Sequence, residues 1–501
     1  MKALAIDEPA HIAVRPATAR TTTTPCRHML RAGAIAGALL LGGCAVGPDY
    51  VRPTVTVPST YKEAPPVAPG WTSARPADDV SRGPWWHVYG DAQLNALEDK
   101  VNVSSQSIQK SIAMLKVARA IVDSARAGYF PTVGASVNAA RTRYSENVVY
   151  HATSGKVIPD YAMTLSATWE PDLWGNISRT VEAAQANAQA SAADLETVRL
   201  GMHADVALNY FNLRGLDASK KLLDQTIVAY QQALELTQNR FNIGIASQSD
   251  VAQAQTQLAN AQAQEIDLDV LRAQYEHAIA TLIGEPASTF FLPPADASFA
   301  PPIIPAGVPS DLLQRRPDIA AAERRTAAAN AQVGVAQAAY FPQLLLSATG
   351  GLESSALGNL LTAPSRMWSV GPALLGTLFD AGARGATTAS AKAEFEGSVA
   401  DYRQTVLTAF QEVEDNLASL RILQQEAAKQ HEAVVASEQA LQLMMNQYKV
   451  GSVGYLDVVV TQSMALMNER MAVDLDRRQM TASVMLVKAL GGKWRSSTEA
   501  E

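Results

Sequence analysis

A chain of 501 residues with 41 basic and 48 acidic side chains has a net charge of −7, and only 6% of it is aromatic. So little aromatic mass cannot fill several conventional globular cores, and the alanine-, glutamine-, leucine- and valine-rich remainder favours helices packed closely over long distances. No lysine and arginine block of the kind that neutralises phosphates is present, which argues against nucleic acid. The two cysteines, Cys26 and Cys44, precede the body of the chain and leave no disulfide framework or cysteine metal site.

Residues 1–43 read as a secretory signal peptide. Ala32 to Gly43 is an apolar run behind Arg27 and Arg31, too short to span a bilayer, and it leads into Leu41-Gly42-Gly43-Cys44. An ordinary cleavage site needs no cysteine there. The ending resembles the lipobox of bacterial lipoproteins, which implies that Cys44 becomes an acylated first residue, as by palmitate. Because Ala45 rather than aspartate follows, that resemblance also implies sorting to the outer membrane. A chance cysteine beside an ordinary cleavage site is the competing reading. Residues 44–90 form the N-terminal segment behind this anchor.

Residues 91–285 make a first unit. Val133, Ala135, Val137 and Ala139 alternate with polar or small neighbours, then a polar loop runs from about Arg141 to Asp160. Met163, Leu165, Ala167 and Trp169 alternate with Thr164, Ser166, Thr168 and Glu170. Each run gives one apolar and one polar strand face. From Asn176 to Phe241 no proline occurs, and a four-three spacing from Met202 through Val206, Asn209 and Leu213 to Phe241 marks a heptad seam. One helix of about 65 residues would be roughly 100 Å long, too long for a globule to enclose. A glycine turn at Gly244 and a second helical run from Asp250 complete an αα-hairpin.

A proline-rich linker, 286–309, leads to a second unit, 310–492, and a tail, 493–501. The second unit repeats the first. Asn239-Arg-Phe241-Asn-Ile-Gly244 is echoed 207 positions on by Asn446-Gln-Tyr448-Lys-Val-Gly451, and Asp250 by Asp457. Ala125 to Pro131 is echoed by Ala336 to Pro342, displaced by 211, so the segment between Pro131 and Gly175 should contain a loop four residues longer than its counterpart. Leu344, Leu346, Ala348 and Trp368, Val370, Pro372, Leu374 give a weaker strand pair, and Ala383 to Tyr448 a second long helix with Asn416 at the step of Asn209. Strands of about ten residues can cross a bilayer when tilted, but four cannot close a barrel. Three chains would make a closed twelve-stranded one, and four strands of a soluble sheet would read much the same.

Cys44-Ala-Val-Gly47-Pro48-Asp49-Tyr50, Trp85-Trp86-His-Val-Tyr89-Gly90-Asp91, Trp169-Glu170-Pro-Asp172-Leu173-Trp174-Gly175 and Leu313-Gln-Arg-Arg316-Pro317-Asp318-Ile319 together resemble the TolC/OprM-type outer membrane efflux lipoproteins of resistance-nodulation-division pumps. The resemblance runs from Cys44 to about Trp494. It implies a mainly α fold with a transmembrane β-barrel: a homotrimer with four strands per chain, helical hairpins forming an α-barrel, and no cofactor. It also implies as partners a periplasmic adaptor protein, an inner-membrane efflux pump and outer membrane lipid. Gly244, Asp250 and Gly451 would lie at adaptor-contact tips, and Asp457 would form a periplasmic gate. Members can carry a second acid and a basic residue near that gate; here Val460 and Val453 occupy those places.

The seven histidines are scattered, and neither a nucleophile elbow nor a phosphate-binding glycine loop occurs, so the chain reads as no enzyme. The alternative is a lipid-anchored periplasmic coiled-coil adaptor or structural protein, although no lipoyl-like β domain is evident.

Overall fold

The computed structural model describes residues 45–64, 83–147, 155–295, 301–304, 313 and 315–492. Cys44 and the leader lie outside the described residues. A 3-10 turn, Trp85–Tyr89, precedes α1 (Ala92–Ser104) and α2 (Gln106–Ala127). The hairpin β1 (Thr132–Arg143) and β2 (Val157–Trp169) leads into α3 (Asn176–Asn242) and α4 (Gln248–Leu282). The second half repeats this order with α5 (Pro317–Ala338), β3 (Gln343–Ser354), β4 (Arg366–Leu375), α6 (Ala383–Val450) and α7 (Tyr455–Ala489).

The proline-free runs are continuous helices of 67 and 68 residues, each about 100 Å long. Helix α3 is the spine, packed against α2, α5, α4 and α7. Its early residues meet α5, where Arg325 pairs with Asp194, and its later ones meet α7, where Arg477 donates to Asn212 Oδ1 at 2.6 Å. The matched seam asparagines bond within their own helices: Asn209 Nδ2 donates to Asp205 O and Asn416 Nδ2 to Glu412 O.

The four strands form one antiparallel sheet in the order β1-β2-β3-β4. Its register aligns Val137, Met163 and Leu352, then Val133, Ala167, Ala348 and Val370, so the alternation gives one continuous apolar face. Ser136, Thr164 and Gly351 lie on the other face. Two sequence expectations need correction. Strands run through Arg143 and resume at Val157, so the polar loop is shorter than 141–160. The four extra residues of the first half are not in a loop either. The first hairpin has twelve paired rungs and the second ten, two more residues on each strand, while the connections between the last rungs are equal. Extending both strands together adds ladder hydrogen bonds, whereas a longer loop would add none.

Among the described residues no helix is long and apolar enough to cross a membrane.

Candidate functional site

The junction between sheet and helices is built from the sequence motifs. Asp172 caps α3, its carboxylate accepting from Ile177 N at 2.9 Å and Ser178 N at 2.7 Å. Trp169 Nε1 donates to Tyr129 O, while Trp174 Nε1 donates to Pro342 O at 2.8 Å and its ring stacks on Phe341 with centroids 4.8 Å apart. The Tyr-Phe-Pro echo therefore supplies the carbonyls and the ring that hold the two tryptophans at the sheet base.

Residues 45–64 are an extended strap starting at this junction. Val46 N donates to Trp174 O at 3.1 Å, and Ala45 packs so closely on Gly175 that a Cβ there would meet its Cα at 2.9 Å. Gly47, at φ +111°, lies against Gly334, whose Cα would be 2.5 Å from an added Cβ. Arg179 binds Asp49 and Glu182, Tyr50 donates to Glu323, and the amides of Lys62 and Glu63 donate to the Glu414 carboxylate on α6.

Midway along α3, Trp86 stacks on His203 at 4.3 Å and His203 Nδ1 lies 2.6 Å from Glu98 Oε2, both side chains buried. Burial pushes the Glu98 carboxyl well above its ordinary range and lowers His203 to about 4, with the Arg199 charge adding to the latter shift. Both shifts favour a neutral pair in which the protonated carboxyl donates to Nδ1 and Nε2 donates to Asn102 Oδ1.

At the far end Gly244 and Gly451 take φ of +79° and +82°, and each closes its hairpin. Ser247 and Asp250 form a reciprocal capping box on α4, and Asp457 Oδ2 accepts from Gly454 N at 3.2 Å in the corresponding place on α7. Asp457 is exposed. The strongest tip contact lies elsewhere: Arg240 Nη1 donates to Tyr448 O at 2.7 Å and Lys449 O at 3.2 Å, and its guanidinium sits 4.6 Å from the Tyr448 ring centroid. Thr237 shares a hydrogen bond with the Tyr448 hydroxyl, and Tyr448 packs on Tyr455. The first hairpin thereby grips the C-terminal carbonyls of α6 in the second. The signal lies in the echo itself, where Arg240-Phe241 matches Gln447-Tyr448 and only the first copy carries a base there.

A bilayer-length sheet with one apolar and one polar face, continuous with two helices each about 100 Å long, is the architecture of a membrane channel subunit. The chain belongs to the outer membrane efflux protein family, whose model matches residues 97–285 and 308–492. It is 30% identical over 469 residues to the probable efflux pump outer membrane protein TtgC of Pseudomonas putida KT2440, covering 92% of this chain and 95% of that one. It is 31% identical to the pyoverdine export outer membrane protein OpmQ of Pseudomonas aeruginosa PAO1, covering 93% and 97%. The solved outer-membrane channel OprN superposes with a TM-score of 0.81 at 28% identity over 90% of this chain and 100% of that one. The protein is an outer-membrane channel component of an efflux system. The adaptor alternative is set aside by these matches.

Proposed function

We propose that three copies close one twelve-stranded barrel continuous with an α-helical duct, and that the duct passively conducts drugs or other small toxic compounds from an inner-membrane pump and a periplasmic adaptor to the exterior, without chemistry. The carrying observation is the sheet, which has an apolar face on one side, a polar face on the other and, among the described residues, edges at β1 and β4 without a strand partner. Strand edges cannot stay open in lipid, and four strands cannot close on themselves. The internal repeat also supplies the missing register. Since Met163 lies opposite Leu352, the offsets of 207 and 211 place Val370 opposite Arg141 of the partner subunit, and Ala373 opposite Asn138 of the partner subunit.

Cys44 anchors the chain by lipid at the membrane surface, supported by the strap that starts at the sheet base. Gly244, Asp250 and Gly451 shape the tips that meet the adaptor. Asp457, free at Oδ1 among the described residues, forms a ring of three carboxylates at the periplasmic entrance, favouring cations. The test is native mass measurement of detergent-purified protein with single-channel recording. A three-chain particle that conducts, with cation preference reduced in Asp457→Asn, is expected; a non-conducting monomer overturns the reading. Fatty-acid labelling of the wild type and not of Cys44→Ser tests the anchor.

A further inference from the structure

Charge is sorted at one end of the sheet. Among the described residues the four strands carry five charged side chains, Arg141, Arg143, Asp160, Glu353 and Arg366, all at the ends away from the helices. Pairing of Arg141 with Pro159 and of Arg366 with Leu352 puts the three arginines on the apolar face. Asp160, opposite Ala140, and Glu353, opposite Ala162, lie on the polar face. The arginines are exposed. Arg143 pairs with Glu146 at 3.1 Å, whereas Arg141 and Arg366 have no acidic partner among the described residues.

Arg141 and Arg366 each stand nine residues from the helix-side end of their strand. At about 3.3 Å per residue and a tilt near 40°, that is about 23 Å, close to the height of about 25 Å of a barrel's apolar band. Both therefore reach the level of the outer-leaflet head groups. The repeat-derived register also places Trp368 opposite Arg143 of the partner subunit, so Arg366 becomes its diagonal neighbour, at about 7–8 Å. Arg143 keeps Glu146, whereas Arg141 and Arg366 bring guanidinium groups without an acidic partner among the described residues to the same rim, and guanidinium forks suit phosphate oxygens.

We propose that the outer rim binds phosphate-bearing lipid head groups at each seam between copies, in a site made by Arg366 of one copy with Arg141 and Arg143 of the partner subunit. The apolar faces below take the acyl chains. The site rests on the trimeric-barrel reading. A phosphate held by arginines from both sides of the seam ties the two copies together, so bound lipid also strengthens the trimer.

Native mass spectrometry of the full-length protein in detergent tests this with bisphosphorylated lipid A, the same lipid stripped of both phosphates, and inorganic phosphate as competitor. An arginine near an anionic lipid surface contributes about fivefold in affinity. The wild type should hold up to three phosphorylated lipids per trimer at least tenfold more tightly than the stripped lipid. R141Q/R366Q should lose at least tenfold, and D160N/E353Q should match the wild type. Equal binding of the two lipids by the wild type overturns the proposal even if the double variant fails to assemble. Displacement by millimolar inorganic phosphate overturns the lipid assignment in favour of a free anion. An intact trimer lacking phosphate preference refutes this site alone, whereas the absence of a trimer in every variant counts against the barrel.

Discussion

Replacing Arg240 by glutamine, the residue at its echo position, should loosen the grip of the first hairpin tip on the second. The change removes two charge-assisted hydrogen bonds, to Tyr448 O and Lys449 O, and the stacking of the guanidinium on the Tyr448 ring. Hydrogen bonds to a charged donor contribute about 1.5–3 kcal/mol and an exposed cation–π contact about 0.5–1 kcal/mol. Because the clamp is half in solvent and glutamine can keep one carbonyl bond, a net loss of about 2 kcal/mol per tip is the working figure. That is on the order of thirtyfold in the equilibrium between gripped and separated tips. Tyr448→Phe keeps the carbonyl bonds and loses only the hydroxyl contact to Thr237, so it should cost about 1 kcal/mol. Single-channel recordings should show longer open dwell times for Arg240→Gln than for Tyr448→Phe, and amide exchange over residues 446–455 should accelerate in the same order. Wild-type dwell times together with wild-type exchange in Arg240→Gln would refute the clamp.

Three further outcomes follow from the junctions. Raised above its ordinary value of 4.5, Glu98 contributes stability that is full below that pH and lost as pH rises; His203, lowered from 6.5 to about 4, contributes stability that is full above 6.5 and lost as pH falls. Glu98→Gln keeps the histidine slope and loses the carboxyl one, so thermal scans should show wild-type stability falling relative to that variant as pH rises above about 4.5, and parallel curves from there up to pH 8.5 would contradict the neutral pair. Gly47→Ala should lift the strap from α5, since its Cβ meets Gly334 Cα at 2.5 Å and its φ is +111°; a loss of about 1–3 kcal/mol and earlier proteolysis within 45–64 are expected, and an unchanged digest would count against the close approach. Trp174→Phe keeps the stack on Phe341 and loses the bond to Pro342 O, a cost of about 1 kcal/mol read as a lowered Tm, with an unaltered Tm contradicting it.

The long helices, the hairpin tips and the apolar strand face were legible because each rests on a local period: no proline over 65 residues, a heptad step, and a two-residue alternation. The strap, the buried Glu98–His203 pair and the Arg240 grip were not, because each joins residues far apart in the chain. His203 and Glu98 are 105 positions apart, and Arg240 and Tyr448 are 208. Asn209 and Asn416 show the opposite failure. They hold matched seam positions, where a polar residue commonly fixes register, yet each bonds to the carbonyl four residues back, a local option that periodicity does not reveal. The hairpin length difference was visible as an offset, but pairing register was needed to show that it lies in the strands.

The central claim, three chains closing one barrel through β4 and β1, is tested most directly by a disulfide across the seam. Ala373→Cys with Asn138→Cys puts two thiols opposite each other on the polar face in the register implied by the repeat, at the Cα separation of about 4.5–5.5 Å that antiparallel neighbours adopt and a disulfide tolerates. Under mild oxidation and without reductant, the denatured double variant should migrate as a covalent three-chain species, while each single variant stays monomeric. Monomer alone from a correctly assembled double variant, or an open ladder continuing past three chains, would contradict the account.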